Sequence, residues 1–156
     1  MSNNAGLLIR DAQQDDANFI FNSWLKSFRR SWFAQRIPND IFYSQQHKVV
    51  EEILSRVTTQ AHVITPATDP ATICGYAVTE AIPGTEGRAK LVHYTYVKGT
   101  FRRLGLATRL LSHAGIGPDY GQQIVFLSHI TSHFAPLAEK HGYVYNPFVL
   151  YRGLYK

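Results

Sequence analysis

The chain has 156 residues, 45% hydrophobic and 13% aromatic, which suits one domain with a real core and excludes an unfolded chain. A single cysteine, Cys74, excludes an internal disulfide and a cysteine-built zinc site. The net charge of +5 favours an anionic partner, either nucleic acid or a cofactor with several phosphates, without choosing between them. No apolar run approaches the roughly 18 residues that span a bilayer. The polar start Met1-Ser2-Asn3-Asn4-Ala5 lacks the pattern of a signal peptide. The expectation is one cytoplasmic domain over residues 1–156, with no membrane partner.

Leu7 to Arg10 reads as a first strand. Asp15 or Asp16 is placed to cap a helix whose Phe19, Ile20, Trp24, Leu25 and Phe28 share one apolar face. Trp24 to Arg36 mixes Trp24, Phe28, Trp32 and Phe33 with Lys26, Arg29, Arg30 and Arg36. It is a helix end on the core, or a substrate-facing lid, or a stacking surface for a nucleic-acid acceptor. Asp40 is placed to cap a second helix running to about Val57, with Val50, Ile53, Leu54 and Val57 inward. Strands follow at His62–Thr65, Thr72–Glu80 and Lys90–Val97, the last two joined by a short loop and therefore antiparallel. A helix from Gly105 stops near Gly115 to Pro118; Ile124–Leu127 is apolar throughout, as a central parallel strand is. A last helix, Ser132–His141, ends at Gly142, and Tyr143–Tyr151 holds one or two final strands. A strand, a helix and a strand in succession require a parallel crossover.

The chain is organised around Val97 to Thr108, a turn between a strand and a helix. A helix start presents backbone N–H groups without intrahelical partners, and the helix dipole adds partial positive charge there. Gly105 and Ala107 are small enough for an anion to approach that backbone, and Arg102 and Arg103 add two charges beside it. The turn is a candidate pyrophosphate cradle. It is neither the dinucleotide fingerprint, which needs a third glycine at fixed spacing, nor a phosphate loop of the Gly-Lys-Ser/Thr type.

The Arg102-Arg103-Leu104-Gly105-Leu106-Ala107 run after a strand resembles the phosphate-binding motif of the GNAT superfamily, the acyl-CoA-dependent N-acyltransferases. Gly99 stands where that family commonly has Pro. The closing Glu139-Lys140-His141-Gly142-Tyr143 is similar to the family's Glu-Lys-x-Gly-Phe ending, and the element order matches its topology over essentially the whole chain. The resemblance implies an α/β fold: a mixed sheet of six to seven strands with about four helices, splayed between the fourth and fifth strands. It implies acetyl-CoA as donor and an amine as acceptor, attacked directly. Backbone groups at Tyr96 and Val97 would bind the pantetheine arm and polarise the thioester. Arg102, Arg103, Leu104, Gly105, Leu106, Ala107 and Thr108 would take the pyrophosphate.

Direct transfer needs a base for the amine and an acid for the leaving thiolate. His93 is the first candidate base, on the strand before the cradle, where some family members carry a catalytic histidine; an imidazole titrates near neutrality. Alternation along that strand puts residues 93, 95 and 97 on one face. The family's usual acid, a tyrosine, is replaced by Ala138. Tyr94, Tyr96, Tyr143 and Tyr145 are substitutes, as are Ser128, His129 and His133, with His129 a second catalytic candidate. His129 and His133 lie at a strand–helix junction with no cysteine or acidic partner nearby, so no metal is expected. The alternatives are a CoA-binding or nucleic-acid-binding module of the same fold without catalysis, and a nucleic-acid-directed acyltransferase. The resemblance also points to a homodimer.

Overall fold

The structure, a computed structural model, describes residues 6–32 and 34–150. Six strands form one sheet in chain order: β1 (Leu7–Asp11), β2 (Thr59–Pro66), β3 (Gly75–Ala81), β4 (Ala89–Val97), β5 (Ile124–Leu127) and β6 (Val144–Tyr145). The first four are antiparallel neighbours, whereas β4–β5 and β5–β6 are parallel. Helices α1 (Ala17–Phe28) and α2 (Asn39–Ser55) cover one face; α3 (Leu106–His113) and α4 (Ala135–His141) cover the other. No helix of the described residues is long and apolar enough to cross a membrane.

The α1 stripe predicted from spacing is the one buried: Ile20, Trp24, Leu25 and Phe28 meet Val63, Tyr76, Val78 and Tyr94 of the sheet. Polar contacts fix the docking angle, with Ser23 Oγ 2.9 Å from the Tyr76 hydroxyl and Ser27 Oγ 2.5 Å from that of Tyr94. On the opposite face, Leu106, Leu110 and Leu111 of α3 pack with Ile64, Ala77, Val92 and Leu127.

Several boundaries differ from expectation. Asp16 occupies the cap position of α1, but its carboxylate takes the Arg10 guanidinium at 2.7 and 3.0 Å and the Gln13 amide, leaving nothing for the helix. A bidentate charged pair outcompetes a cap. α2 starts at Asn39, so Asp40 lies inside its first turn rather than at its cap. It ends at Ser55 because Arg56 turns extended, which takes Val57 off the helical repeat and leaves it 99% exposed instead of inward. α4 begins at Ala135, three residues late, with Pro136 in its first turn, where a missing N–H costs nothing. The final strand is short, Val144–Tyr145, followed by a 3-10 turn over Pro147–Leu150. Phe33, Tyr151 and the polar start at residues 1–5 lie outside the described residues.

Candidate active site

Two features of β4 build the site. Its pairing with β5 runs from Ala89–Ile124 to Val92–Leu127 and closes with the Ser128 amide on the Val92 carbonyl at 3.2 Å. β4 continues to Val97 along β3, to the Gly75–Val97 pair, so beyond Val92 it has a strand neighbour on one side only among the described residues. The two parallel strands therefore fork, and the β5-facing edge of the β4 end suits an extended ligand that adds to the strand, with the Val97 carbonyl taken by Arg102.

The second feature is a β-bulge. Val78 pairs with Tyr94 but Thr79 pairs with Val92, which leaves His93 as the extra residue. This overturns the simple alternation expected of the strand. Thr95, opposite Ala77, and Val97 lie on the α3 face, whereas His93 turns with Tyr94 to the α1–α2 face. The imidazole thus lies on the face of Leu91 and Glu80, at the root of the fork.

There His93 is fully buried between two partners. Its Nε2 is 2.8 Å from Glu80 Oε1 of β3, and its Nδ1 is 2.8 Å from Ser128 Oγ, which lies 2.8 Å from His129 Nδ1. Glu80 also accepts from Arg56 Nη1 at 3.1 Å and from the Thr58 hydroxyl, and Arg56 reaches back to Glu52 at 2.7 Å. Burial pushes the Glu80 carboxyl up, but its bonds from His93, Thr58 and Arg56 outweigh that and hold it at about 2. Burial lowers His93, against the opposing pull of Glu80. His129 falls to about 3 because it is enclosed and faces His93, with the His93 main chain acting the other way. Trp24, Phe28 and Tyr94 supply its enclosing rings. In both rings burial favours the neutral form.

The cradle is a tight turn. Arg103 and Gly105 both adopt left-handed backbone, with φ of 67° and 73°. The first α3 bond is Arg109 N to Gly105 O at 3.1 Å, no side chain caps the helix, and its first turn holds no acid. The amides at its start are therefore open to an external anion. A Cβ placed on Gly105 would meet nothing within 4 Å, so the approach is clear. Arg103 and Thr108 are exposed, Ala107 and Leu104 half-buried, and Leu106 buried under the helix. Arg102 is exposed and lays its Nε on the Val97 carbonyl at 3.1 Å. Tyr96 stacks on Tyr76 and meets Phe19 edge-on. These residues and this backbone fit a pyrophosphate and an extended arm running from cradle to fork.

The remaining candidates divide. Ala138 is buried on the α3 side, and Tyr143 packs near it on Phe134 and His141. Tyr94 is bonded to Ser27 and held above the usual phenol range by burial, while His133 and Tyr145 lie on the surface. Arg29, counted among the bases of a nucleic-acid surface, instead ties the α1–α2 connection. It bonds Asn39 Oδ1, Ala34 O and Ile37 O and lies over the Phe42 ring. Glu80 and Arg56 were missed from the sequence. The available signal was an acid inside the strand Gly75–Ala81, otherwise free of charge.

No protein-family model matches the sequence, and no curated protein does. Solved structures are similar in fold. A candidate acetyl transferase of Pyrococcus furiosus is 16% identical, with a TM-score of 0.64 over 90% of this chain and 94% of that one. The ribosomal-protein-alanine N-acetyltransferase of Brucella melitensis biovar Abortus 2308 is 16% identical, with a TM-score of 0.56 over 86% and 90%. A GNAT-family protein of Desulfovibrio desulfuricans is 17% identical, with a TM-score of 0.55 over 87% and 82%. With its six-stranded mixed sheet, four helices and forked β4–β5 pair, this chain has the GNAT fold.

Proposed function

We propose that this protein is an N-acetyltransferase that moves the acetyl group of acetyl-CoA directly onto an amine. The observation that carries the reading is continuity: the free edge of β4 leads straight into the uncapped start of α3. Acetyl-CoA supplies the activated acyl group. Tyr96 and Val97 hold the pantetheine arm by main-chain bonds, which requires Arg102 to leave the Val97 carbonyl and turn to phosphate. Amides from Gly105 to Thr108 and the Arg103 side chain receive the pyrophosphate. His93 on β4 and His129 just after β5, linked through Ser128 at the root of the fork, remove the proton of the attacking amine.

A CoA-binding module without transfer is the second reading, favoured by Ala138, a methyl group where the family carries its acid. Calorimetric titration with acetyl-CoA and a thiol-release assay over a panel of amines decide between them. Saturable binding that Arg102→Glu weakens, together with amine-dependent thiol release, supports the transferase. Binding without release supports the module, and no binding at all overturns both.

A further inference from the structure

The buried polar groups at the fork form one hydrogen-bonded line, and its donor directions follow from chemistry. Glu80 is paired with Arg56 and also takes Thr58, so its carboxylate only accepts. The proton in the Glu80–His93 contact therefore belongs to His93 Nε2. In a neutral ring Nδ1 then carries the lone pair, and the Ser128 hydroxyl donates to it. Ser128 has no second proton, so its 2.8 Å contact with His129 is a bond from His129 Nδ1–H to Ser128 Oγ. That leaves the basic lone pair of the line on His129 Nε2. His129 follows the residue whose amide makes the last β4–β5 bond, at the root of the fork.

We propose that Glu80, His93, Ser128 and His129 are a proton relay of fixed tautomers whose receiving atom is His129 Nε2, with Glu80, His93 and Ser128 as positioning residues. The proposal rests on the transferase reading and names the atom that takes the amine proton. As the amine nitrogen bonds to the acetyl carbon, the carbon–sulfur bond of acetyl-CoA breaks and CoA leaves as the thiolate, while the amine proton moves to His129 Nε2. The Nδ1 proton of His129 passes to Ser128 Oγ, and the Ser128 proton passes to His93 Nδ1. His129 returns to neutral, which suits its box of Trp24, Phe28 and Tyr94. The charge ends on His93 against the Glu80 carboxylate, where it is compensated. Arg56 of the α2 end opposes that charge and Glu52 of α2 favours it; both belong to the same array. Two imidazoles joined by a hydroxyl thus place the base at the fork and the charge one strand away, beside its counter-ion.

Long-range proton–nitrogen NMR spectra of the full chain labelled with nitrogen-15 histidine test this, with signals assigned by His93→Asn and His129→Phe. At pH 7 the expected tautomers are Nε2–H for His93 and Nδ1–H for His129. In Ser128→Ala, His129 loses its fixed tautomer. Amine-dependent thiol release then falls by about 10²-fold in kcat, the lower end for general-base catalysis, while the KM for acetyl-CoA stays unchanged. Ser128→Thr, which keeps the hydroxyl, restores both. An Nε2–H tautomer on His129 in the unmodified protein overturns the relay, and so does unchanged kcat in Ser128→Ala. Correct tautomers in a chain that binds no acetyl-CoA overturn the transferase reading, and with it the relay's role in transfer, while the hydrogen-bonded line stands.

Discussion

His93 Nε2 meets Glu80 Oε1 at 2.8 Å beside a register slip: Glu80 pairs with Leu91, His93 lies two residues on along the same face, and there β4 carries one residue more than β3 opposite it. Without the bulge, His93 would share one face with Thr95 and Val97, which instead turn to the α3 side. The same bulge coincides with the end of β4–β5 pairing. One backbone irregularity therefore lies at the fork and separates the face of His93 and Tyr94 from that of Thr95 and Val97.

Glu80→Gln is expected to lower stability by about 3 kcal/mol, the low end for breaking a buried ion pair, because Arg56 keeps Glu52 as a partial counter-ion. Urea unfolding measures this: the midpoint should fall with little change in slope. An unchanged midpoint would show that the Glu80–Arg56 contact contributes nothing to the fold. A Gln amide can donate to His93, so the His93 tautomer should also be released.

Acid should weaken the fold from near neutrality rather than from the carboxylate range alone. His93 and His129 are held below the usual histidine value by burial, so the unfolded chain takes up protons below about pH 6.5 while the native chain does not. The unfolded state then binds more protons, so stability is complete above that pH. It falls by about 1.4 kcal/mol per pH unit for each such histidine as pH drops. For His129 this continues to about pH 3. His62, lowered by burial and by His113, acts in the same direction. Glu80 adds a second loss between the ordinary glutamate value and about 2, because its stabilising contribution needs the ionised form. Urea midpoints at pH 7, 6 and 5 check the upper window. His129→Phe should flatten that slope, and an equal slope in the variant would show that His129 titrates normally.

Arg103→Gly separates fold from binding. Arg103 holds a left-handed φ of 67°, a conformation that costs a residue with a Cβ about 1–2 kcal/mol and costs glycine almost nothing. The greater unfolded-state freedom of glycine offsets part of the gain, so stability should stay level or rise by up to about 1 kcal/mol. Acetyl-CoA binding should weaken by about fivefold, as for one exposed charge pair, and the deficit should shrink at high salt. Calorimetry at two ionic strengths reads it. Unaltered affinity would remove Arg103 from the cradle.

Legibility followed periodicity. The apolar stripe of α1 and the strand Ile124–Leu127 were readable because burial imposes a repeat on the sequence. The turn into α3 was readable because Gly105 stands just before the helix start. The bulge left no such trace, since Leu91 to Tyr96 alternates acceptably in either register. The partners of His93 come from three separate segments, Glu80, Ser128 and through them Arg56, and only the sheet brings them together. The charged run at Arg29 and Arg30 was ambiguous for a related reason: whether an arginine meets a ligand or caps a loop depends on carbonyls that sequence does not locate.

Gly75→Ala tests how closely β3 supports the ligand-facing end of β4. A Cβ on Gly75 would stand 2.6 Å from the Tyr96 carbonyl oxygen, a main-chain atom that cannot swing aside as a side chain does. β3 and β4 must separate near the Gly75–Val97 pair, at a cost of about 1–3 kcal/mol typical of overpacking. Tyr96 and Val97 are the residues proposed to hold the pantetheine arm, so the displacement should raise the KM for acetyl-CoA more than it lowers kcat. Gly99→Ala is the control, since its Cβ meets nothing nearer than Arg102 Nη1 at 4.0 Å and should leave KM alone. Thiol-release kinetics on both variants, each checked for thermal unfolding, give the comparison. If Gly75→Ala loses stability but keeps its KM, the arm is not bound along the end of β4.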